Sequence, residues 1–264
     1  MSLPLVVNPQ QIPDEQLPGL KIVDLRMAAD YEQGHLPGAI HMAASLLNRS
    51  EPPQGGLLPD AAGAENLTAA IGLNSDDHVL VYDDGGATSA ARMVWVLHAY
   101  GFHSVSFLNG GFPAWRSAGR SIDVIAATAG TGNANLRFVP GNMLTVDQLL
   151  SDDNSSYTYI DVRSAAEYDG SDVRAERGGH VPNAIHSEWT DVFDEEGALK
   201  DDDTLRTMMA ELNIKKEDHA LVYCQTHQRS AVTYLVLKHL GYDKVSAMDG
   251  AWSVWGNRDD TPVA

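Results

Sequence analysis

The chain has 264 residues, room for one or two domains, each able to bury a sizeable core. Hydrophobic residues make up 44% and charged residues 20%, an ordinary balance for a globular protein. Asp plus Glu number 36 against 18 Lys plus Arg, a formal net charge of −18, which excludes a broad nucleic-acid footprint and disfavours docking on an anionic membrane. The one cysteine, Cys224, permits neither an intramolecular disulfide nor a multi-cysteine zinc site. The stretch MSLPLVVNPQQIPDEQ has no basic or long apolar segment of the kind that opens a signal peptide. No apolar run reaches the roughly 18 residues of a membrane span. A soluble, cytoplasmic protein is expected.

In chain order, the first predicted strand is Ile22–Leu25, opening the segment IVDLRMAADYEQGHLPGAIHM at 22–42. A second strand, His78–Tyr82, runs through the loop Asp83–Ser89 into a helix over Ala90–Tyr100, and a third covers Val105–Leu108. Small and polar residues then fill 121–142, read as a linker between domains at 1–120 and 143–264. Thr145 with Gln148 three residues on has the pattern of a capping box. Strands follow at 159–162 and His219–Tyr223, then a helix over Ser230–Leu240 and a strand at Val245–Met248.

These elements are the same set twice. YIDVRSAAEYDGSDVRAERGGHVPNAIHS at 159–187 repeats the first segment with an insertion around Ser171–Gly178. Asp24, Arg26, Tyr31, His35, Pro37 and His41 return as Asp161, Arg163, Tyr168, His180, Pro182 and His186. DHVLVYDDGG at 77–86 returns as DHALVYCQTH at 218–227, with a one-residue slip in the helix that follows, and NGGFPAW at 109–115 is answered by DGAWSVW at 249–255. Three blocks in the same order, about 140 residues apart, mark a tandem duplication of a domain of roughly 110–120 residues. Strands alternating with helices point to an α/β fold, each copy a mostly parallel sheet flanked by helices, with ligands at the carboxyl ends of the strands.

Cys224 stands at such a strand end, followed by Gln225, Thr226, His227, Gln228, Arg229 and Ser230 and then a helix. Successive backbone N–H groups, a helix N-terminus and the Arg229 charge would all stabilise a thiolate, the nucleophilic form. The plainer alternative is a small buried hydrophobe. The first copy has Asp83 where Cys224 stands, so only the second copy holds a nucleophile. Histidines six apart in both copies (His35 and His41, His180 and His186) read as scaffold rather than metal ligands, and so do the Asp24–Arg26 and Asp161–Arg163 pairs. The acidic runs at 194–196 and 201–203 lack calcium-loop spacing, so no metal or organic cofactor is expected.

The Asp-x-Arg strand ends, His-x-Pro-x-Ala-Ile in both halves, a cysteine loop in the second half only and the closing Asp-Gly-Ala-Trp resemble the two-domain rhodanese family of sulfurtransferases over essentially the whole chain. CQTHQRS is most similar to the CQTHHRS loop of the bacterial thiosulfate sulfurtransferase type. The resemblance implies a catalytic second domain and a non-catalytic first. It also implies a persulfide on Cys224, charged by a small-molecule sulfane donor and discharged to cyanide, a small thiol or a protein thiol. Cys224 to Arg229 is Cys-x4-Arg, one residue shorter than the Cys-x5-Arg cradle of cysteine phosphatases and arsenate reductases.

Two departures leave the donor open. Mercaptopyruvate enzymes carry a Cys-Gly-Ser-Gly type of loop, absent here, so thiosulfate is favoured over 3-mercaptopyruvate. An arginine common in the family is Glu167 in this chain; Arg174 and Arg177 offer replacement charge for an anionic donor, or are solvated loop residues. Trp189 reads either as an aromatic beside the cleft or as core, and His227 either orients the acceptor or faces solvent. A protein that carries persulfide to a partner, with little small-molecule turnover, is the reading from a different class.

Overall fold

The computed structural model describes residues 3–14, 19–151 and 156–264. Residues 1, 2, 15 and 16 of the N-terminal stretch read for a signal peptide lie outside them. In chain order the first half holds β1 (Val6–Val7), β2 (Lys21–Asp24), α1 (Ala28–Gln33), β3 (Ile40–His41), β4 (Arg49–Glu51), β5 (Gln54–Leu57), α2 (Ala61–Ile71), β6 (Val79–Tyr82), α3 (Thr88–Ala99), β7 (Val105–Leu108) and α4 (Gly111–Ser117). The second half holds β8 (Met143–Leu144), α5 (Val146–Ser151), β9 (Tyr157–Asp161), α6 (Ala165–Tyr168), β10 (Ile185–His186), α7 (Asp202–Glu211), β11 (His219–Tyr223), α8 (Arg229–His239), β12 (Val245–Met248) and α9 (Trp252–Trp255). The strands read from sequence are present, with ends moved by a residue or two. The helices begin one or two residues before the predicted starts, at Thr88 and Arg229.

The chain divides into two compact units. One comprises Met1–Leu47, Pro59–Val139 and Asp194–Leu199; the other comprises Asn48–Leu58, Pro140–Phe193 and Lys200–Ala264. The passage between them falls between Val139 and Pro140, so most of the segment read as a linker counts with the first unit. Each unit also takes in a short segment from the other half of the sequence.

In the first unit a parallel sheet has the order β1-β7-β6-β2-β3. Strand β6 reads Val-Leu-Val-Tyr and is buried throughout, as a strand covered on both faces must be. Ten consecutive residues of α3, Ala90–Ala99, are buried, so this helix is covered all round. Asp60 caps α2 by accepting from the Gly63 N–H, and the left-handed Gly72 ends that helix.

The second unit repeats the order as β8-β12-β11-β9-β10, again parallel. The Thr145 capping box forms as read: Gln148 N–H donates to Thr145 Oγ1 at 3.2 Å and Thr145 N–H donates to Gln148 Oε1 at 2.9 Å. An element the sequence did not announce completes this unit. The antiparallel pair β4–β5 packs here, with Leu57 in a core cluster beside Tyr223, Trp252 and Trp255. Gly55 N–H donates to Ser253 Oγ at 3.0 Å, and Leu58 N–H donates to Asp249 Oδ1 at 2.7 Å.

The repeat holds at the level of single bonds. Arg26 grips Asp24 and donates to Gly34 C=O at 2.7 Å; Arg163 grips Asp161 and donates to Gly179 C=O at 2.7 Å. The His35 ring stacks on Tyr31 at 3.8 Å, and His180 stacks on Tyr168 at 3.7 Å. His41 Nε2 lies 2.9 Å from Arg26 O, and His186 Nε2 lies 2.8 Å from Arg163 O. All four histidines thus bond to backbone, and among the described residues no group of His, Cys, Asp or Glu could hold a metal ion.

Candidate active site

Cys224 follows the last residue of β11 and is 1% exposed. Its carbonyl accepts from Trp252 N–H at 3.0 Å, and the Gln225 carbonyl accepts from Ser253 N–H at 2.9 Å, so the start of α9 pins the base of the loop. The loop runs through Gln228 and enters α8 at Arg229. His227 adopts φ +53°, uncommon for a residue with a side chain. It is fully buried, with Nδ1 2.6 Å from Ser230 Oγ. The solvent-facing reading of His227 does not hold: its ring turns to the start of α8 and props the loop from within.

The other loop residues are tied down as well. Gln225 Nε2 donates to Arg174 C=O at 2.9 Å, and Gln228 Nε2 donates to Asn48 Oδ1 at 2.5 Å. Thr226 lies against Gly55 and Gly56 of β5. A Cβ on Gly56 would sit 2.0 Å from the Thr226 carbonyl oxygen, and Gly56 has φ +68°. Only glycine fits that approach.

The matching loop of the first unit shows what such a turn can hold. The carboxylate of buried Asp83 accepts from Gly85 N–H at 3.1 Å, Ala87 N–H at 3.0 Å and Ala90 N–H at 3.1 Å. Burial pushes its pKa up, against these bonds. Three N–H groups of the loop and helix start thus converge on one carboxyl group. The left-handed residue is Ala87 here, four positions past Asp83, and His227 there, three past Cys224, which locates the slip between the copies.

Arg229 is where the geometry departs most from the sequence reading. Its guanidinium forms a two-pronged pair with Glu167, Nη1 to Oε2 at 2.6 Å and Nη2 to Oε1 at 2.8 Å. Glu167 first, then the neighbouring Cys224, hold its pKa up against burial. Its charge is therefore compensated rather than free for the cysteine alone. Glu167 is 1% exposed and also serves as the third residue of the capping box that Ser164 opens for α6. Burial alone would raise its pKa, but Arg229, the Ser164 N–H and Arg174 outweigh it and hold the carboxyl at about 2.

Arg174 lies at the edge of this cluster with its side chain 52% exposed, 3.9 Å from Glu167. It is bound to Asp172, Nη2 to Oδ2 at 2.7 Å. Arg177 is a clamp on the C-terminal segment, donating to Thr261 C=O at 2.8 Å and Trp255 C=O at 3.0 Å. It is therefore not a solvated loop residue. Trp189 is half-buried and edge-on to Phe193 at 5.7 Å, in a short turn that packs on α8. Two features of the site escaped the sequence reading. The Ser164-x-x-Glu167 pattern was legible as a capping box, but nothing local announced Arg229 as its partner. The β4–β5 pair had turn signals in Pro52-Pro53 and Gly55-Gly56, yet its contacts lie 198 residues away.

The comparisons agree with the fold. The model of the rhodanese-like domain matches twice, at residues 10–118 and 145–258. A thiosulfate sulfurtransferase of Pseudomonas aeruginosa is 38% identical over 99% of this chain and 97% of its own length. A 3-mercaptopyruvate sulfurtransferase of Escherichia coli is 32% identical over 93% of this chain and 92% of its own. A solved 3-mercaptopyruvate sulfotransferase from Escherichia coli superposes with a TM-score of 0.81 at 29% identity, over 95% of this chain and 99% of that one. A paired α/β scaffold with its cysteine loop in one half only, matched by the family model in both halves, makes this chain a member of the rhodanese family.

Proposed function

We propose that the protein is a thiosulfate sulfurtransferase that works through a persulfide on Cys224. The Cys224 thiolate attacks the sulfane sulfur of thiosulfate, the new S–S bond forms, and the bond to the sulfonate sulfur breaks with its electron pair leaving on sulfite. Cyanide or a thiolate then attacks the outer sulfur, takes it, and returns the Cys224 thiolate. Two displacements replace one, with no external oxidant or reductant.

The observation that carries this reading is the Asp83 loop, in which three backbone N–H groups gather on one carboxyl group at the place Cys224 occupies in the other unit. The equivalent loop, Gln225–Ser230, would solvate the outer persulfide sulfur as an oxyanion hole does. Thr226 contributes backbone, His227 and Ser230 brace the turn, and Gln225 and Gln228 hold its edges. Arg229 contributes a positive charge that interacts with the cysteine. Two relatives named for thiosulfate and 3-mercaptopyruvate support the reaction class, and the CQTHQRS loop favours thiosulfate. A lone free thiol suits a reducing compartment, so we assign the reaction to the cytoplasm, with a small thiol or a protein thiol as acceptor. Among the described residues no helix is long and apolar enough to cross a membrane.

The test is intact mass after incubation with excess thiosulfate and its removal. One added sulfur, absent from Cys224→Ala and discharged by cyanide with release of thiocyanate, is the expected result. Transfer that persists in Cys224→Ala overturns the mechanism. Stable loading with slow discharge to every small acceptor would favour the persulfide carrier.

A further inference from the structure

The duplication supplies an internal control. Whatever both units share is scaffold; what only the cysteine-bearing unit has requires another reason. The Asp–Arg clamps and stacked histidines occur in both. The Glu167–Arg229 pair occurs in one. The position matching Glu167, just before the repeated tyrosine, is Asp30, which is exposed, and α3 opens with Thr88-Ser89 where α8 opens with Arg229-Ser230.

Around Cys224 each arginine has its own carboxylate. Arg229 is held two-pronged by buried Glu167, and Arg174 is held by Asp172. Glu167 also lies 3.9 Å from Arg174, so the four charges form one cluster, two of each sign. An arginine meant to clamp a dianion would keep its fork open to the ligand. Here the fork of Arg229 is turned to Glu167, with one N–H from each terminal nitrogen. A capping box alone does not require an arginine partner, so the cap does not account for the pair.

We infer that Glu167 and Asp172 tune donor selectivity by offsetting the charges of Arg229 and Arg174, so that thiosulfate draws less charge attraction than uncompensated arginines would give it and a singly charged sulfane donor gains relative to it. This deepens the sulfurtransferase reading and rests on it. Thiosulfate is a dianion. An alkanethiosulfonate presents the same sulfane sulfur with one charge fewer. Its reaction balances in the same way: Cys224 takes the sulfane sulfur and the electron pair leaves on an alkanesulfinate. The two donors therefore differ in charge and not in the bond that breaks.

The experiment measures kcat and KM with thiosulfate and with an alkanethiosulfonate, at constant ionic strength, for the native protein, Glu167→Gln, Glu167→Asp and Asp172→Asn. Glu167→Gln should raise the thiosulfate-to-thiosulfonate ratio of kcat/KM by about fivefold to tenfold, through KM for thiosulfate. Glu167→Asp, which keeps the charge, should hold the ratio near the native value. Asp172→Asn, at a more exposed pair, should shift it by about twofold in the same direction. It carries the test if Glu167→Gln does not fold. A folded Glu167→Gln or Asp172→Asn that still accepts sulfur from both donors at the native ratio overturns the inference and leaves the sulfurtransferase reading intact. Failure of both donors to load Cys224 in the native protein overturns the reading itself, and the inference with it.

Discussion

Glu167 shows how much one side chain can be asked to do. It closes a helix cap, holds Arg229 and offsets its charge. Its carboxyl sits at about 2, below the ordinary 4.5, so the folded state favours the ionised form. The resulting stabilisation is present above about pH 4.5 and is lost as the pH falls toward 2. Glu167→Gln should therefore be less stable than the native protein by about 2 kcal/mol at neutral pH, a gap that narrows below pH ~4.5. Urea titrations at several pH values check this; a gap that widens in acid would contradict the charge assignment. At this scale the candidate nucleophile was legible, because a cysteine at a strand end before a polar loop and a helix has few other uses. The partner of Arg229 was not legible, because 62 residues separate the two and no periodicity links them.

The elements were easier to read than their neighbours. Buried parallel strands are short continuous apolar runs, and β6, β7, β11 and β12 stand out for that reason. The β4–β5 pair does not, since Arg-Ser-Glu and Gln-Gly-Gly-Leu carry little apolar pattern. It is defined by what it touches. Within it, two adjacent glycines make a controlled comparison. A Cβ at Gly55 would meet Thr226 Cγ2 at an ordinary 3.6 Å, whereas one at Gly56 would collide with the Thr226 backbone in a left-handed conformation. Gly56→Ala should cost about 1–3 kcal/mol and depress sulfur transfer by moving the loop; Gly55→Ala should do little to either. Thermal melts and thiocyanate assays of the two variants check the difference. Equal effects would mean that the strand pair yields freely and does not shape the loop.

For the whole molecule, the duplication was plain in sequence, but the exchange of segments between its copies was not. Residues 140–264 look like a complete repeat, yet the unit they build also includes Asn48–Leu58. A fragment of 140–264 alone should melt well below the intact chain and lose most of its cysteine-dependent transfer; far-UV circular dichroism and the thiocyanate assay decide it. A fragment as stable and active as the whole would make the β4–β5 pair dispensable. The same bond between Gly55 and Ser253 also has a meaning in time. Its partners are 198 residues apart, and ribosomes add about 5–20 residues per second. The strand pair therefore leaves the ribosome roughly 10–40 seconds before its binding surface exists. Until then the nascent chain displays an unplaced hairpin, and the cysteine loop receives its cover only when synthesis is almost finished.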